Sequence, residues 1–463
     1  MMPALTAEWL AGATGGRLLC GDAGAVLGEV STDTRTLREG DFFVALRGPR
    51  YDGHDFTSVA RNAGAAGALV DTAYAGPLWG AIVQVADTVE GLQRLAHAVR
   101  TAAGSRVVAI TGSAGKTTTK EAIAALLTTR YRVVKNLGNL NNHIGLPLSL
   151  MQLRSNPDVA VMELGMNHAG EISRLVAIAA PDTRVWTNVG DAHLGFFDSP
   201  DAIADAKAEI LEGAGPAALL VCNADDPRVM ARAAGFPGRT VTFGVGPQAD
   251  VRATDVEDLG VSGSRARVLT PAGPCAVETA LIGRGNLLNI LAAIAVALEY
   301  GVPLADVPEA VRALKPADRR GVVHRLASGV TLVDDSYNSS PSALRVALET
   351  IAGDTRARRR IAVLGEMLEL GSQATEMHEA CGRAAAQAGL DRLVTVGGEP
   401  ALALATAAIA AGLPAASVEY VPTSPEAAAR LAGTLREGDL VLVKGSRGIG
   451  TDAVVRALMG EGA

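Results

Sequence analysis

The chain has 463 residues, which is enough for about three domains. Hydrophobic residues make up 48% and charged residues 20%, as in a soluble globular protein, and the net charge of −7 argues against a surface that coats nucleic acid. Four scattered cysteines indicate neither a zinc site nor a disulfide framework, the first residues do not form a signal peptide, and the most apolar segment, residues 287–300, is too short to span a membrane. We therefore expect a cytoplasmic protein without a nucleic-acid partner and without membrane insertion. We also expect a monomer, although composition does not determine the oligomeric state.

Apolar runs and turns divide the chain into three α/β units. Residues 1–104 contain short strands and turns, which predict a small N-terminal domain. Residues 105–314 repeat an apolar strand, a turn and a helix, which predicts a central domain with a mainly parallel sheet, although residues 237–280 look more antiparallel. The alternation resumes over residues 315–463 and predicts a Rossmann-like C-terminal domain. Polar residues follow the C-terminal ends of many strands, and open α/β sheets bind ligands at that edge.

The run TGSAGKTTTK at residues 111–120 joins an apolar strand to a helical pattern. Free N–H groups at a helix N-terminus bind phosphate, while a lysine reaches the β- and γ-phosphates and a hydroxyl binds Mg²⁺. Lys116 and Thr117 have the residue types for these roles. The strict motif needs a glycine where Ile110 stands, so an ordinary turn with one exposed lysine is the alternative. The run predicts a domain that handles a nucleoside triphosphate.

Three further residues near the ends of central strands have metal-binding potential. Glu163 closes an apolar strand and is a candidate Mg²⁺ ligand, with an ordinary strand-end acid as the alternative. His193 is a candidate ligand of a second divalent ion, although an isolated loop histidine is more often structural or solvated. For Lys207, the residues alone favour a solvated lysine paired with Asp205 or Glu209.

Other polar residues are candidates for nucleotide contacts. Asn286 and Asn289 are three residues apart on one helix face, where amides can bind a base, unless Asn286 caps the helix. Arg320, Asp335 and Lys444 have the groups that meet phosphate oxygens or ribose hydroxyls, which suggests that the third domain closes over a nucleotide on the second.

Two polar regions are candidates for a substrate. The dense amides of Asn139, Asn141 and Asn142 can bind a polar molecule such as a nucleotide sugar. In the N-terminal domain, the triplets at residues 33–35 and 52–54 are either binding residues or simply polar loops.

Segments in all three domains resemble the Mur ligases of peptidoglycan synthesis, in order and over essentially the whole chain. The DNPR segment typical of the diaminopimelate-adding branch does not occur, and folylpolyglutamate synthases lack this N-terminal domain. The segments are STDTRTLREGDFFVAL, GPRYDGHDF, TGSAGKTTTK, ELGMNHAGEI, TNVGDAHLG, AKAEI, GRGNLLNILAA, DDSYNSSPSAL, LGEMLELG and VLVKGSRG.

The resemblance implies an ATP-dependent ligase that adds D-alanyl-D-alanine to UDP-N-acetylmuramoyl-tripeptide. ATP phosphorylates the terminal carboxylate of the tripeptide, and the amine of the dipeptide attacks the acyl phosphate. The implied cofactors are ATP and two Mg²⁺ ions, and the implied partners are the two substrates. Two alternatives remain open, namely a related ligase for another carboxylate and a P-loop ATPase that is not a ligase.

The resemblance also assigns roles by position. The implied catalytic residues are Lys116, Lys207 and His193, and the implied Mg²⁺ ligands are Thr117, Glu163, His193 and, as a carbamate, Lys207. The implied nucleotide-binding residues are Gly112, Ser113, Ala114, Gly115, Lys116, Thr117, Thr118, Asn286, Asn289, Arg320 and Asp335. The implied substrate-binding residues are Thr32, Asp33, Arg35, Phe43, Arg47, Asn139, Asn141, Asn142, Tyr337, Asn338, Lys444, Ser446 and Arg447. The sequence departs from the family pattern at Gly195, Gly285 and residues 339–340.

Overall fold

The computed structural model describes residues 4–136, 138–191 and 194–460. One buried hydrophobic cluster is shared by the first and central units, and further clusters pack against each of the three sheets. Within the described residues, no helix is both long enough and apolar enough to cross a membrane.

The first unit has a five-stranded sheet in the order β1-β5-β4-β3-β2, in which only the β1–β5 pair is antiparallel. Its elements are α1 (Ala7–Thr14), β1 (Arg17–Cys20), β2 (Val30–Ser31), β3 (Phe42–Val44), α2 (Thr57–Asn62), β4 (Gly67–Val70), β5 (Ala81–Gln84) and α3 (Thr88–Ala102). The Asp87 side chain accepts a hydrogen bond from the N–H of Glu90 and so caps α3, the longest helix of this unit.

The central unit has a nine-stranded sheet in the order β14-β13-β12-β11-β10-β9-β6-β8-β7. Its first elements are β6 (Arg106–Thr111), α4 (Lys116–Thr128), β7 (Val133–Lys135), α5 (Gly145–Leu150), β8 (Val159–Glu163), α6 (Glu171–Ala179), β9 (Thr183–Trp186), α7 (Pro200–Ala208) and β10 (Leu219–Asn223). They are followed by α8 (Pro227–Ala233), β11 (Arg239–Gly244), β12 (Val251–Asp258), β13 (Ser264–Thr270), β14 (Gly273–Thr279), α9 (Arg284–Glu299) and α10 (Val307–Arg312).

The expected antiparallel character of residues 237–280 is only partly correct. Strand β11 runs parallel to both β10 and β12, and antiparallel pairing begins between β12 and β13 and continues to β14. The reason is topological, because α8 provides the crossover that a parallel β10–β11 pair requires. Glycine and proline turns occur both beside the parallel strand β11 and between the antiparallel strands, so they do not by themselves indicate hairpins.

The third unit has a six-stranded sheet in the order β15-β16-β20-β17-β18-β19, parallel except for β15. Its elements are β15 (Val322–Arg325), β16 (Thr331–Asp335), α11 (Pro341–Ala352), β17 (Arg359–Gly365), α12 (Ala374–Gln387), β18 (Arg392–Val396), α13 (Glu399–Ala410), β19 (Val418–Val421), α14 (Ser424–Leu431), β20 (Asp439–Lys444) and α15 (Asp452–Met459). The predicted α/β class with a mainly parallel central sheet is confirmed, while the domain boundaries at residues 104/105 and 314/315 stay a prediction.

Hydrogen bonds at several places join the central and third units. The N–H of Gly195 donates to the backbone oxygen of Glu369 over 2.8 Å. At a second place, the N–H of Val261 donates to the Asp354 carboxylate over 3.1 Å, and Arg356 also binds that carboxylate. The third unit therefore contacts the central unit at the loop after β9 and at the segment between β12 and β13.

Candidate active site

The loop between β6 and α4 has the geometry of a phosphate cradle. Gly112 and Gly115 have φ angles of +151° and +81°, which side chains other than glycine rarely adopt. A Cβ atom on Gly115 would lie 2.2 Å from Oδ1 of Asn289, so the close packing also requires glycine. Since α4 begins at Lys116, its first free N–H groups lie at the end of this loop and form an anion site.

The strand-end residue Asn188 holds the cradle from the side of β9. Its Oδ1 accepts a hydrogen bond from the N–H of Ala114 over 2.9 Å, and its Nδ2 donates to the oxygen of the same residue over 3.1 Å. Ser113 receives the N–H of Gly190 at 2.8 Å. Sequence reasoning did not assign Asn188 a role, although its position directly after an apolar strand was a usable signal.

Lys116 lies inside the cradle. Its Nζ donates to the backbone oxygen of Gly112 over 2.8 Å. Burial lowers the pKa of Lys116, the negative charge of Glu163 opposes this effect, and the positive charge of Arg320 adds to it. A bound anion would stabilise the charged form of Lys116 and so oppose the effect of burial. This is what is expected of a lysine that binds phosphate.

Both carboxylate oxygens of Glu163 have partners in the structure. Oε2 accepts a hydrogen bond from the Thr117 hydroxyl over 2.8 Å, and Oε1 accepts one from Nδ2 of Asn141 over 2.9 Å. The side chain of Asn136, which sequence reasoning missed, accepts a hydrogen bond from the N–H of Glu163. With Glu163 only 3% exposed, these bonds fix the direction of a buried carboxylate.

Lys207 lies on α7 and is 1% exposed. Over the described parts of the chain, its amine makes no hydrogen bond or ion pair, because Asp205 pairs with Arg232 and Glu209 binds N–H groups before and in α6. Burial lowers the pKa of Lys207 well below its ordinary value, and the charge of Lys116 lowers it further. The prediction of a solvated, paired lysine is therefore wrong.

Two asparagines of α9 lie next to the cradle, with Asn289 against Gly115 and Asn286 hydrogen-bonded to Asn289. Asn289 accepts a hydrogen bond from the hydroxyl of Thr119 over 3.2 Å and donates to Asn286 over 3.2 Å. Asn286 is not the N-cap, because that position is Gly283 and the Asn286 amide donates back to the oxygen of Ile282. The capping alternative is wrong, and Asn289 supports the cradle through Gly115.

The third unit brings several predicted residues to one sheet edge. Nζ of Lys444 lies 2.6 Å from Asp335 and 2.9 Å from the oxygen of Asn338, and the guanidinium carbon of Arg320 lies 4.0 Å from the centre of the Tyr337 ring. Two further predicted residues differ in solvent exposure. Ser446 is buried, and its hydroxyl accepts a hydrogen bond from the N–H of Leu368, whereas Arg447 is exposed.

Of the five substrate-binding candidates of the first unit, the two arginines are exposed and Asp33 is partly buried. Arg35 binds Asp33 over 2.6 Å and lowers the pKa of that carboxyl to about 2. Arg47 lies 2.7 Å from Asp52 and 2.9 Å from Asp71. Of the other two candidates, Phe43 is 2% exposed and packs in the core, and Thr32 is partly buried.

The remaining candidates are distributed as follows. Asn142 accepts the N–H of Gly145 at the start of α5, and Asn139 is exposed. Thr118 is partly buried on the first turn of α4. His193 lies outside the described residues.

The residues present fit a nucleotide phosphate with magnesium. The cradle has no room for a side chain in place of Gly112 or Gly115, and the adjacent Thr117 hydroxyl and Glu163 carboxylate are the oxygen ligands that Mg²⁺ prefers. Among the described residues, no group of three or more His, Cys, Asp or Glu side chains forms a separate metal cluster.

Comparison with known proteins identifies the family. Three family models match in order: "Mur ligase family, catalytic domain" over residues 27–115, "Mur ligase middle domain" over 110–297 and "Mur ligase, glutamate ligase domain" over 318–447. The UDP-N-acetylmuramoyl-tripeptide–D-alanyl-D-alanine ligase of Bacillus subtilis is 34% identical over 441 residues, which cover 94% of this chain and 93% of that protein. The chain belongs to the Mur ligase family.

Solved structures of Mur ligases have the same fold. MurF from Acinetobacter baumannii superimposes with a TM-score of 0.89 at 31% identity, covering 99% of each chain. MurF from Thermotoga maritima, solved in complex with ADP, has a TM-score of 0.83 at 30% identity and covers 94% of this chain and 97% of its own. These matches confirm the predicted family and the three-domain architecture.

The structure explains one of the departures from the Mur ligase pattern. A Cβ atom on Gly195 would lie 2.7 Å from the oxygen of Glu369, so the contact between the central and third units leaves no space for a side chain there. A Cβ atom on Gly285 would meet no atom within 4 Å, and nothing in the structure explains that glycine. Ser339 is buried, and its hydroxyl has no partner among the described residues.

Proposed function

We propose that this chain is the ATP-dependent ligase that joins D-alanyl-D-alanine to UDP-N-acetylmuramoyl-tripeptide in the synthesis of the peptidoglycan precursor. The observation that carries this proposal is full-length similarity. Eight curated relatives with this activity in their name are 33–36% identical over 93–95% of the chain. The arrangement around Lys116, Glu163 and Lys207 supports it, because it combines an anion site with buried groups able to hold a metal.

A carboxylate is a poor electrophile, so the reaction needs a leaving group on the tripeptide. When bound, ATP supplies a phosphoryl group for that carboxylate, and Mg²⁺ neutralises charge on the phosphates. The cradle amides and Lys116 hold the phosphates in place. Thr117 and Glu163 hold one Mg²⁺. Closure of the third unit excludes water from the acyl phosphate.

Lys207 takes part in this proposal as a carbamate. Burial lowers the pKa of Lys207 and so favours the neutral form of the amine, which is the form that attacks CO₂. The nitrogen forms a bond to the carbon, one C–O π bond breaks, and a proton leaves the nitrogen. The product is a carboxylate that, with His193, provides oxygen and nitrogen ligands for the second of two Mg²⁺ ions.

The remaining roles follow the position of each residue. We assign Asn286 and Asn289 to the adenine side, Asp335 to the ribose and Arg320 to the phosphates. The asparagines of the segment before α5 and the exposed charges of the first unit bind the UDP-tripeptide. We also assign five residues of the third unit to substrate binding, namely Tyr337, Asn338, Lys444, Ser446 and Arg447. The three domains span residues 1–104, 105–314 and 315–463.

We further propose that the enzyme is a cytoplasmic monomer. All four cysteines are free thiols, which fits a reducing compartment. The site residues described above come from three units of one chain, so a second copy is not required to complete the site.

The test is an assay of ADP release with purified protein. We expect release only when ATP, Mg²⁺, the UDP-tripeptide and D-alanyl-D-alanine are all present, and a panel with lysine or diaminopimelate as the third residue identifies the tripeptide. L-Alanyl-L-alanine serves as the matched control for the acceptor. ADP release that is independent of both substrates would instead support the P-loop ATPase alternative.

A further inference from the structure

A small cavity lies between the central and third units. Its volume is about 290 Å³, and it is lined by Asp191, Pro341, Arg345, Gln373, Glu376, Met377, Ala380 and Arg383. These residues come from the loop after β9, from the start of α11, from the turn before α12 and from α12 itself. Pockets for drug-sized ligands begin at about 300 Å³, so this cavity suits a small molecule and not a nucleotide.

The cavity borders the phosphate cradle. Gly190, which precedes the cavity residue Asp191, donates its N–H to the hydroxyl of Ser113 in the cradle. On the other side, a Cβ atom on Gly190 would lie 3.1 Å from the hydroxyl of Ser342 in the first turn of α11. A ligand in the cavity therefore lies close to the place where the proposed acyl phosphate forms.

The cavity contains a cation with free hydrogen-bonding capacity. Nη2 of Arg345 donates to Asp191 over 3.2 Å, which orients the guanidinium. This is its one side-chain hydrogen bond among the described residues, and the Arg345 side chain is 43% exposed. A guanidinium has five N–H donors, so enough remain to bind a carboxylate in a bidentate manner.

The start of α11 adds a second attraction for an anion. Ser340 at the N-cap makes no side-chain hydrogen bond to the first turn, and Pro341 follows it. The N-terminus of this 12-residue helix therefore retains its partial positive charge on the side of Arg345. Glu376 and Arg383 also line the cavity, and their side chains have opposite charges.

We infer that this cavity binds the incoming dipeptide and that Arg345 binds its C-terminal carboxylate. The inference rests on the proposed function and assigns a residue to the acceptor that no family motif supplied. D-Alanyl-D-alanine has a carboxylate at one end and an amine at the other, about 7 Å away when extended. With the carboxylate on Arg345, the amine points toward the cradle, where the acyl phosphate is attacked.

The test compares the dipeptide with its C-terminal amide, which lacks the negative charge. In the unaltered enzyme, we expect the KM of D-alanyl-D-alaninamide to exceed that of D-alanyl-D-alanine roughly tenfold to a hundredfold, because a hydrogen-bonded ion pair is lost. In Arg345→Gln, the KM of the dipeptide rises by the same factor and the two acceptors become equivalent. Arg345→Lys restores part of the discrimination.

Arg312→Gln is the matched control, because it removes an exposed arginine of α10 that lies outside the cavity. We expect it to keep the discrimination between the two acceptors. The KM values for ATP and UDP-tripeptide in Arg345→Gln check that the variant is folded. If Arg345→Gln still discriminates while the unaltered enzyme is active, this inference is wrong and the proposed function stands. If the unaltered enzyme does not use D-alanyl-D-alanine at all, the proposed function itself fails.

Discussion

The polar residues of the central unit and those of the first unit are organised in different ways. Around the cradle, Glu163 is buried, and the partly buried Lys116, Thr117 and Asn141 are hydrogen-bonded within the site. In the first unit, the candidate charges are exposed and pair with neighbouring acids, as Arg47 does with Asp52. The side chains around the cradle are therefore oriented before a ligand binds, whereas the charged side chains of the first unit lie in solvent.

This difference indicates that the cradle acts in catalysis and that the first unit acts in substrate binding. Buried, pre-oriented charges stabilise a transition state because they need no reorganisation during the reaction. Exposed ion pairs contribute only about 0–1 kcal/mol each, so a phosphate group can replace one partner at little cost. We therefore expect substitutions near the cradle to reduce kcat and substitutions in the first unit to raise KM for the UDP-substrate.

The largest effect is expected for Lys116→Ala. This change removes the one ammonium inside the described part of the cradle, and we expect kcat for ADP release to fall roughly a thousandfold or more. Steady-state kinetics with saturating substrates measure it. Lys315→Ala, at an exposed position, is the control. Substantial activity in Lys116→Ala would contradict the role of the cradle and the contrast between the two regions.

The cradle could be predicted from sequence because its parts are local. The strand, the glycines and the lysine lie within about ten residues, and backbone geometry alone positions them. The surroundings of Lys207 could not be predicted in this way. Its burial depends on how α7 packs against the central sheet, and a lysine between alanines and acids is typical of a solvated helix. The contact between Arg345 and Asp191 could not be predicted from the sequence either, because 154 residues separate them.

The second prediction concerns Lys207→Met, which we expect to be inactive and yet more stable near neutral pH. Burial lowers the pKa of Lys207, so between that pKa and 10.5 the unfolded chain binds more protons than the folded chain. The free energy of unfolding of the unaltered protein therefore rises with pH in this range. The advantage of Lys207→Met should shrink toward pH 10.5, as urea denaturation at several pH values measures.

A control and a separate readout complete this experiment. Lys135→Met, at an exposed lysine paired with Glu121, should not show this pH-dependent advantage. Mass spectrometry of the native protein with and without added bicarbonate tests for the carbamate directly. A Lys207→Met variant that is less stable at neutral pH would show that the buried amine is not destabilising.

The third prediction tests whether Asn141 belongs to the cradle or to the substrate. Its amide binds Glu163, so in Asn141→Ala we expect the apparent affinity for Mg²⁺ to fall roughly tenfold, as for other residues that orient a metal ligand. Titration calorimetry with ADP and Mg²⁺ measures this without turnover. Asn139→Ala is the matched comparison, since that exposed residue is expected to change KM for the UDP-tripeptide instead. If Asn141→Ala and Asn139→Ala lower the apparent affinity for Mg²⁺ equally, Asn141 has no special role in orienting Glu163.

The smallest effect is expected for Arg47→Gln in the first unit. The Arg47 side chain is 56% exposed and binds the carboxylates of Asp52 and Asp71, so its loss should change the free energy of unfolding only slightly. If a phosphate of the UDP group replaces these carboxylates, KM for the UDP-tripeptide rises roughly threefold to tenfold while kcat is unchanged. Arg61→Gln, at an exposed arginine of α2, controls for a general loss of positive charge. A fall in kcat without a change in KM would contradict the contrast, because it would place Arg47 with the groups that act on the transition state and not with those that bind the substrate.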